Sequence, residues 1–194
     1  MNGKRCRTLV VAHGKSEMMI CSKIAAIAGI GIEIDSNDMG RETIAISGLQ
    51  SRFESKTYSS ELALSREFDR LEYFGRKKMD QRMPNLRIFT VMDIDGDRES
   101  MLRYTTGEMF KEFPLGRYVT PIYNDRNLDE VMEAIGYGSV VSKKVKTYRQ
   151  ICDGITDLVD LYRRLKENEN TNMEEFVLHC LNHGPSYQGY LDQL

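Results

Sequence analysis

Residues 87–97 constrain the fold more than any other stretch of the chain. The apolar run Ile88-Phe89-Thr90-Val91-Met92 follows Pro84-Asn85 and delivers Asp93-Ile94-Asp95-Gly96-Asp97 at its end. Five β-prone residues bounded by turn formers read as a buried strand. In an open parallel sheet, ligands sit beyond the carboxyl ends of the strands, which is where these acids fall. Asp93 and Asp95 alternate by two and so share one face while the extended geometry lasts. Crowded carboxylates repel, and a bound Mg2+ or Mn2+ is the common relief. Asp-X-Asp-Gly-Asp is also ordinary turn chemistry, since Asp and Gly favour the conformations that end strands and cap helices. The context therefore decides.

Length and composition set the frame. At 194 residues, 41% hydrophobic and 29% charged, the chain can bury a real core and fits one domain with an extension better than two domains. A net charge of -2 gives no global attraction to nucleic acid or membrane, so any such surface must be a local patch. The basic N-terminus Lys4-Arg5-Cys6-Arg7 is followed by an apolar run of only Thr8 to Ala12, too short for a signal peptide or a spanning helix. Cys6, Cys21, Cys152 and Cys180 are scattered without a Cys-X-X-Cys pair. A cytoplasmic protein with reduced thiols, no disulfides, no structural zinc and no membrane contact is expected.

Taken in order, residues 8–12 read as a first buried strand, and His13-Gly14-Lys15-Ser16 as a short turn into a helix that stops at Gly29 or Gly31. Ser16 is a candidate N-cap and Glu17 suits a positive helix N-terminus. Such a turn offers backbone N–H groups to a phosphate. It is not a Walker loop, because Leu9 stands where that motif needs glycine. Residues 31–40 form a loop or a short edge strand around Ile32-Glu33-Ile34, and Thr43-Ile44-Ala45-Ile46-Ser47 reads as the second strand. Helical spacing then runs from Leu62 to Phe74, and again over 98–113. A strand over 118–123 belongs near an edge, because Pro121 cannot donate to a ladder. Helices follow over 128–135, over 148–166 and over 173–181. Lys77 and Lys78, and Lys143, Lys144 and Lys146, are candidate phosphate-facing patches, although charge runs of this kind are usually solvated. His179 and His183 can meet on one helix face, but with no third ligand a packed or solvated pair is the simpler expectation.

Strands alternating with helices mean a three-layer α/β fold, with a mainly parallel sheet and helices on both faces. The division expected is an α/β domain over 1–125 and a C-terminal helical extension over 126–194, packed on the same domain.

An apolar strand, an X-Gly-Lys-Ser-Glu turn and helix, and about eighty residues later a strand ending in Asp-X-Asp together resemble the Toprim domain. That is the metal-binding catalytic domain of topoisomerases, bacterial primases, recombination proteins and overcoming-lysogenisation-defect nucleases. Small stand-alone Toprim-like proteins of phage-defence and restriction loci, including the RloB-like group, carry a Glu-Gly-Lys-Ser/Thr-Glu version of the turn. The resemblance covers about residues 8–123. It implies that Asp93 and Asp95 hold Mg2+ or Mn2+, with Asp97 as a third acid. His13 stands where the family has its glutamate. His13 would then shuttle the proton itself, or Glu17, one helical turn further on, would take the carboxylate role.

The function so implied is Mg2+-dependent hydrolysis or phosphoryl transfer at nucleic-acid phosphodiesters, in phage defence or DNA processing. Lys15 pairs with a phosphate, and His13 or Glu17 handles the proton. One alternative is a degenerate site that keeps the fold for binding nucleic acid or a partner protein, its support being the missing glutamate at position 13. A second starts from Asp93-Ile94-Asp95-Gly96, which resembles the first motif of haloacid-dehalogenase-type phosphatases, with Asp93 as nucleophile and Asp95 as acid/base. Asp97 replaces that family's usual Thr or Val, and two strand–helix units precede the motif. Beryllofluoride trapping on Asp93 separates the two enzymes.

Overall fold

The computed structural model describes residues 7–71, 86–94, 97–125, 127–137 and 145–187, of which 145–147 by backbone alone. The chain forms β1 (Thr8–Ala12), α1 (Lys15–Ala28), β2 (Glu33–Asp35), α2 (Ile46–Glu54), α3 (Glu61–Glu67), β3 (Arg87–Ile94), α4 (Arg98–Thr105), β4 (Val119–Asp125), α5 (Leu128–Ala134), α6 (Val145–Gly154), α7 (Leu158–Lys166) and α8 (Glu174–His183). The four strands make one sheet in the order β2-β1-β3-β4, and every pairing is parallel.

Alternation along the strands sorts the core into two layers. Val10, Ala12, Phe89, Val91 and Ile122 face α1 and α5 to α8. Leu9, Val11, Ile88 and Met92 face the other way, against Leu49 and Phe53 of α2, Leu64 of α3 and Tyr104 of α4. Both faces of β1 and β3 are covered, which is why these strands are apolar without interruption. α1 turns Ile20, Cys21, Ile24, Ala25 and Ala28 inward and ends where Gly29 takes a left-handed φ of 74°, a cap that glycine adopts without Cβ strain.

The predicted α/β class, with a parallel sheet between helical layers, is what the structure has. Several elements differ in detail. Residues 43–47 are no strand. Ile44 only lays its N–H on the His13 carbonyl at 2.8 Å, and Ile46, Leu49 and Phe53 then form the buried stripe of α2. A short run of alternation imitated a strand, while the helical period that overrode it lay downstream. The sheet edge is the three-residue β2, one residue on from the short edge strand read around Ile32-Glu33-Ile34, with Arg70 covering it through bonds to the Ile32 carbonyl at 2.6 Å and the Glu33 carboxylate at 2.7 Å. The helix expected to reach Phe74 ends at Glu67, and the one expected over 98–113 ends at Thr105 and continues as a 3₁₀ turn over Glu108–Phe110.

The helix predicted over 148–166 is two, broken after Gly154. Asp157 opens α7 as its N-cap, accepting from the N–H groups of Val159 and Asp160. β4 is an edge strand as Pro121 required, and residues 170–172 close it. The Asn170 carbonyl accepts from Asp125 N–H at 2.6 Å, the Asn172 side chain accepts from Tyr123 N–H at 2.8 Å, and the same side chain donates to the Pro121 carbonyl at 2.9 Å. Blunting both edges in this way leaves, among the described residues, no long open strand to template aggregation. The C-terminal helices lie against the sheet, with the Phe176 ring of α8 edge-on to Phe89 at 5.2 Å. Among the described residues, no helix is long and apolar enough to cross a membrane.

Candidate functional site

The order β2-β1-β3-β4 reverses direction between β1 and β3. At such a switch point the crossovers leave on opposite faces and open a crevice at the carboxyl ends of the two strands. Ala12 pairs with Val91, and His13 N–H bonds the Val91 carbonyl at 2.9 Å. The turn after β1 and Asp93 near the end of β3 therefore flank this crevice together.

Glu17 is almost wholly buried there, only 1% exposed. It is the third residue of α1 and its Oε2 accepts the Gly14 N–H at 2.8 Å, the reach-back half of a capping box. Gly14, and not Ser16, is the N-cap. Ser16 instead donates Oγ–H to Glu17 Oε1 at 3.0 Å. Burial raises the Glu17 pKa above the usual carboxylate range, and these hydrogen bonds and the nearby His13 only partly offset it.

Asp93 lies on the same side of the sheet as α1 and α5 by the alternation of β3. Its Oδ1 accepts the Leu128 N–H at 3.0 Å, from the first turn of α5, and the Asn124 side-chain amide at 3.3 Å. Asn124 is fully buried and stands opposite Asp93 in the β3–β4 register. Burial first, then the negative charge of Glu17, pushes the Asp93 carboxyl up to about 7, against the opposing effect of His13 and the hydrogen bonds. Two poorly solvated carboxylates thus lie close enough for the charge of Glu17 to raise Asp93, and among the described residues neither has a Lys or Arg ion-pair partner. His13 turns Nδ1 toward the Ile44 carbonyl at 2.9 Å. A carbonyl only accepts, so Nδ1 carries the hydrogen in the neutral ring and Nε2 is left as the free base.

The other sequence-predicted residues divide. Lys15 opens α1, half-buried, beside the tight turn at Gly40. Asp97 is exposed and serves as the N-cap of α4, accepting from Glu99 and Ser100 N–H at 3.1 and 2.9 Å. These bonds hold its pKa below the usual value. Asp95, Lys77, Lys78, Lys143 and Lys144 lie outside the described residues, as does the side chain of Lys146. His179 and His183 do meet, with ring centroids 4.4 Å apart, but as a packed pair. His179 Nε2 is bonded to Thr8 Oγ1 at 2.9 Å and His183 Nδ1 to the His179 carbonyl at 2.9 Å.

Sequence reasoning gave Asn124, Asp129 and Tyr148 no part in the site. Only the sheet register brings Asn124 to Asp93, and only helix packing brings Tyr148 of α6 to Asp129 of α5. A separate cleft of about 440 Å³ lies near the end of β2, lined by Asp35, Arg52, Ser55, Tyr58 and neighbours. Its Asp35 and Arg52 are already paired, Arg52 binding Asp35 at 2.6 Å while Tyr58 donates to the same carboxylate.

Among the described residues, no three His, Cys, Asp or Glu side chains gather as a complete metal cage. Mg2+ seldom uses one. It keeps several waters and takes one or two carboxylates plus substrate phosphate, and the paired acids Glu17 and Asp93 fit that mode. No family model, no curated protein and no solved structure matches this chain.

Proposed function

We infer that the chain is a Toprim-like, Mg2+- or Mn2+-dependent enzyme of phosphodiester hydrolysis or phosphoryl transfer on nucleic acid. One observation carries the reading. Glu17 and Asp93 are desolvated, Glu17 raises Asp93, and neither has a Lys or Arg ion-pair partner among the described residues, with only the His13 charge and hydrogen bonds to offset them, at the sheet position where parallel α/β folds bind ligands. Such a pair is strained by its own charge until a cation or a proton joins it.

In this reading Asp93 and Asp95 would hold the ion, with Glu17 beside them as acid/base. When bound, the cation supplies positive charge to a phosphate oxygen as negative charge develops there. The first-turn N–H groups of α1 and the Lys15 ammonium orient the phosphate. His13 takes or returns a proton at Nε2, its ring fixed by the Nδ1 hydrogen bond to Ile44.

The test is cleavage of end-labelled single- and double-stranded DNA and RNA with Mg2+ or Mn2+. Wild type should cut at least one substrate, and EDTA should abolish it. Asp93→Asn should lower the rate at least about a hundredfold, and His13→Ala or Glu17→Gln about 10²- to 10⁴-fold, the usual span for a lost acid/base. Cleavage that survives Asp93→Asn at the wild-type rate would sink the reading. A second reading, binding without catalysis, is favoured by Glu17 already serving as the capping-box acid of α1. It expects metal-independent retention of nucleic acid or protein and no cleavage in any condition.

A further inference from the structure

The cleft at the end of β2 holds hydrogen-bonding groups that the described residues do not exhaust. Asp35, the last residue of β2, stands opposite Val11 in the register, so it reaches the same carboxyl end of the sheet as the turn after β1. Arg52 Nη1 of α2 donates to Asp35 Oδ1 at 2.6 Å, Tyr58 donates to Oδ2, and Arg52 Nη2 donates to Asn37 Oδ1. Guanidinium and carboxylate each keep bonding positions beyond these. Ser51, Ser55 and Thr57 line the same cleft of about 440 Å³, and their hydroxyls have no hydrogen-bond partner among the described residues. Phe68 adds a half-buried ring to the wall.

Gly48 of α2 also lines the cleft, and neither backbone nor packing requires a glycine there. Its φ is not left-handed, and an added Cβ would meet nothing within 4 Å. Glycine is the poorest helix former after proline. What the position gains is open space at the cleft wall.

The volume suits a small organic group, and the lining selects its class. Arg52 is neutralised by Asp35, and Glu67 adds a negative charge, so a bare anion gains little here. A paired donor and acceptor beside free hydroxyls match the vicinal oxygens of a sugar. In parallel α/β folds an acid just past the phosphate-binding turn bonds a ribose hydroxyl, and Asp35, on the strand beside β1, holds that place. An aromatic wall such as Phe68 can stack a base. The cleft is also tied to the start of α1. The Asn37 carbonyl accepts Gly40 N–H at 2.8 Å, and Gly40 lies against the Lys15 backbone.

We propose that this cleft is a ribonucleoside subsite, in which Asp35 accepts from the 2′-hydroxyl, Arg52 donates to the 3′-oxygen and the base lies on Phe68. The proposal deepens the nucleic-acid reading above, and rests on it, by naming RNA as the preferred substrate. The 2′-hydroxyl is the group that separates RNA from DNA.

The probes are adenosine and 2′-deoxyadenosine, followed in ¹H–¹⁵N spectra of the full-length, metal-free protein. Neither carries a phosphate, so their binding does not depend on the paired acids. Adenosine should shift the amides of Gly48, Ser55 and Thr57 saturably, and 2′-deoxyadenosine should bind at least about tenfold more weakly, the worth of a hydrogen bond to a charged group. Gly48→Phe should remove adenosine binding at an unchanged melting temperature, and Thr57→Val, which keeps the side-chain shape, should weaken it several-fold. Equal affinity for the two probes overturns the proposal, as do amides silent at millimolar adenosine or full binding by both variants. Cleavage assays keep the two readings apart. Adenosine held in the cleft of a protein that cuts no nucleic acid supports the subsite and refutes the phosphodiesterase reading alone. DNA and RNA cut at equal rates, with the cleft silent, refutes the subsite alone.

Discussion

Asp93 keeps its proton to about pH 7 in the fold, whereas an unfolded aspartate loses it near about 3.9. Between those values the unfolded state binds fewer protons, so this residue makes stability fall as pH rises through the window. Three units correspond to on the order of 4 kcal/mol as an upper bound, shared with Glu17 because the two titrate together. His179 acts in the opposite sense. Burial, then His183 and Arg87, depress it to about 4, so its contribution is present above about 6.5 and is lost as pH falls toward 4. The two slopes oppose each other between about pH 4 and 6.5. In urea unfolding, Asp93→Asn should match wild type near pH 4, exceed its stability near pH 8, and show the rising His179 slope uncovered. His179→Gln should show the reverse, a fall from about pH 4 to 7. An Asp93→Asn variant no more stable than wild type near pH 8 would count against a desolvated, uncompensated carboxylate.

At the scale of elements, the start of α1 is set from outside. Asp38, Met39 and Gly40 take consecutive left-handed φ values of 41°, 53° and 78°, a strained turn that brings Gly40 against the backbone of Lys15. A Cβ on Gly40 would stand 2.8 Å from Lys15 Cα and 2.9 Å from its nitrogen. Gly40→Ala should therefore destabilise by about 1–3 kcal/mol in thermal or urea unfolding. It should also move the Gly14 amide, since the helix start carries Glu17; an unchanged protein would show that the turn yields freely. This device was not visible in Asn37-Asp38-Met39-Gly40, which reads only as a polar loop. The elements that were legible, β1, β3, β4, α1 and α5, each have a dense apolar run or a clear cap. Those misread depend on tertiary contacts. Ile44 is buried over the end of β1 without joining the sheet, and the break at Ile155 leaves the apolar period of the two helices nearly in phase.

For the molecule as a whole, one core layer unites α1 with α5 to α8 on the same side of the sheet, so the C-terminal helices contribute to the layer on which the site rests. Asp93 was legible as a site residue because a strand's carboxyl end is a local fact of sequence. Glu17 was legible as a substitute for the acid missing at His13. Their convergence was not, because it depends on the reversal between β1 and β3, and pairing order leaves no mark in a single strand. Asn124 was hidden for the same reason, since only the β3–β4 register sets it opposite Asp93. The central claim, that the paired acids at this reversal are built to take a divalent cation, is tested most directly by calorimetric titration of Mg2+ and Mn2+ into wild type, Asp93→Asn and Glu17→Gln at about pH 8. The account expects saturable binding by wild type, weakened at least about tenfold in Asp93→Asn and measurably in Glu17→Gln. Absence of binding by wild type, even with nucleic acid present, or binding equal in all three proteins, would contradict it.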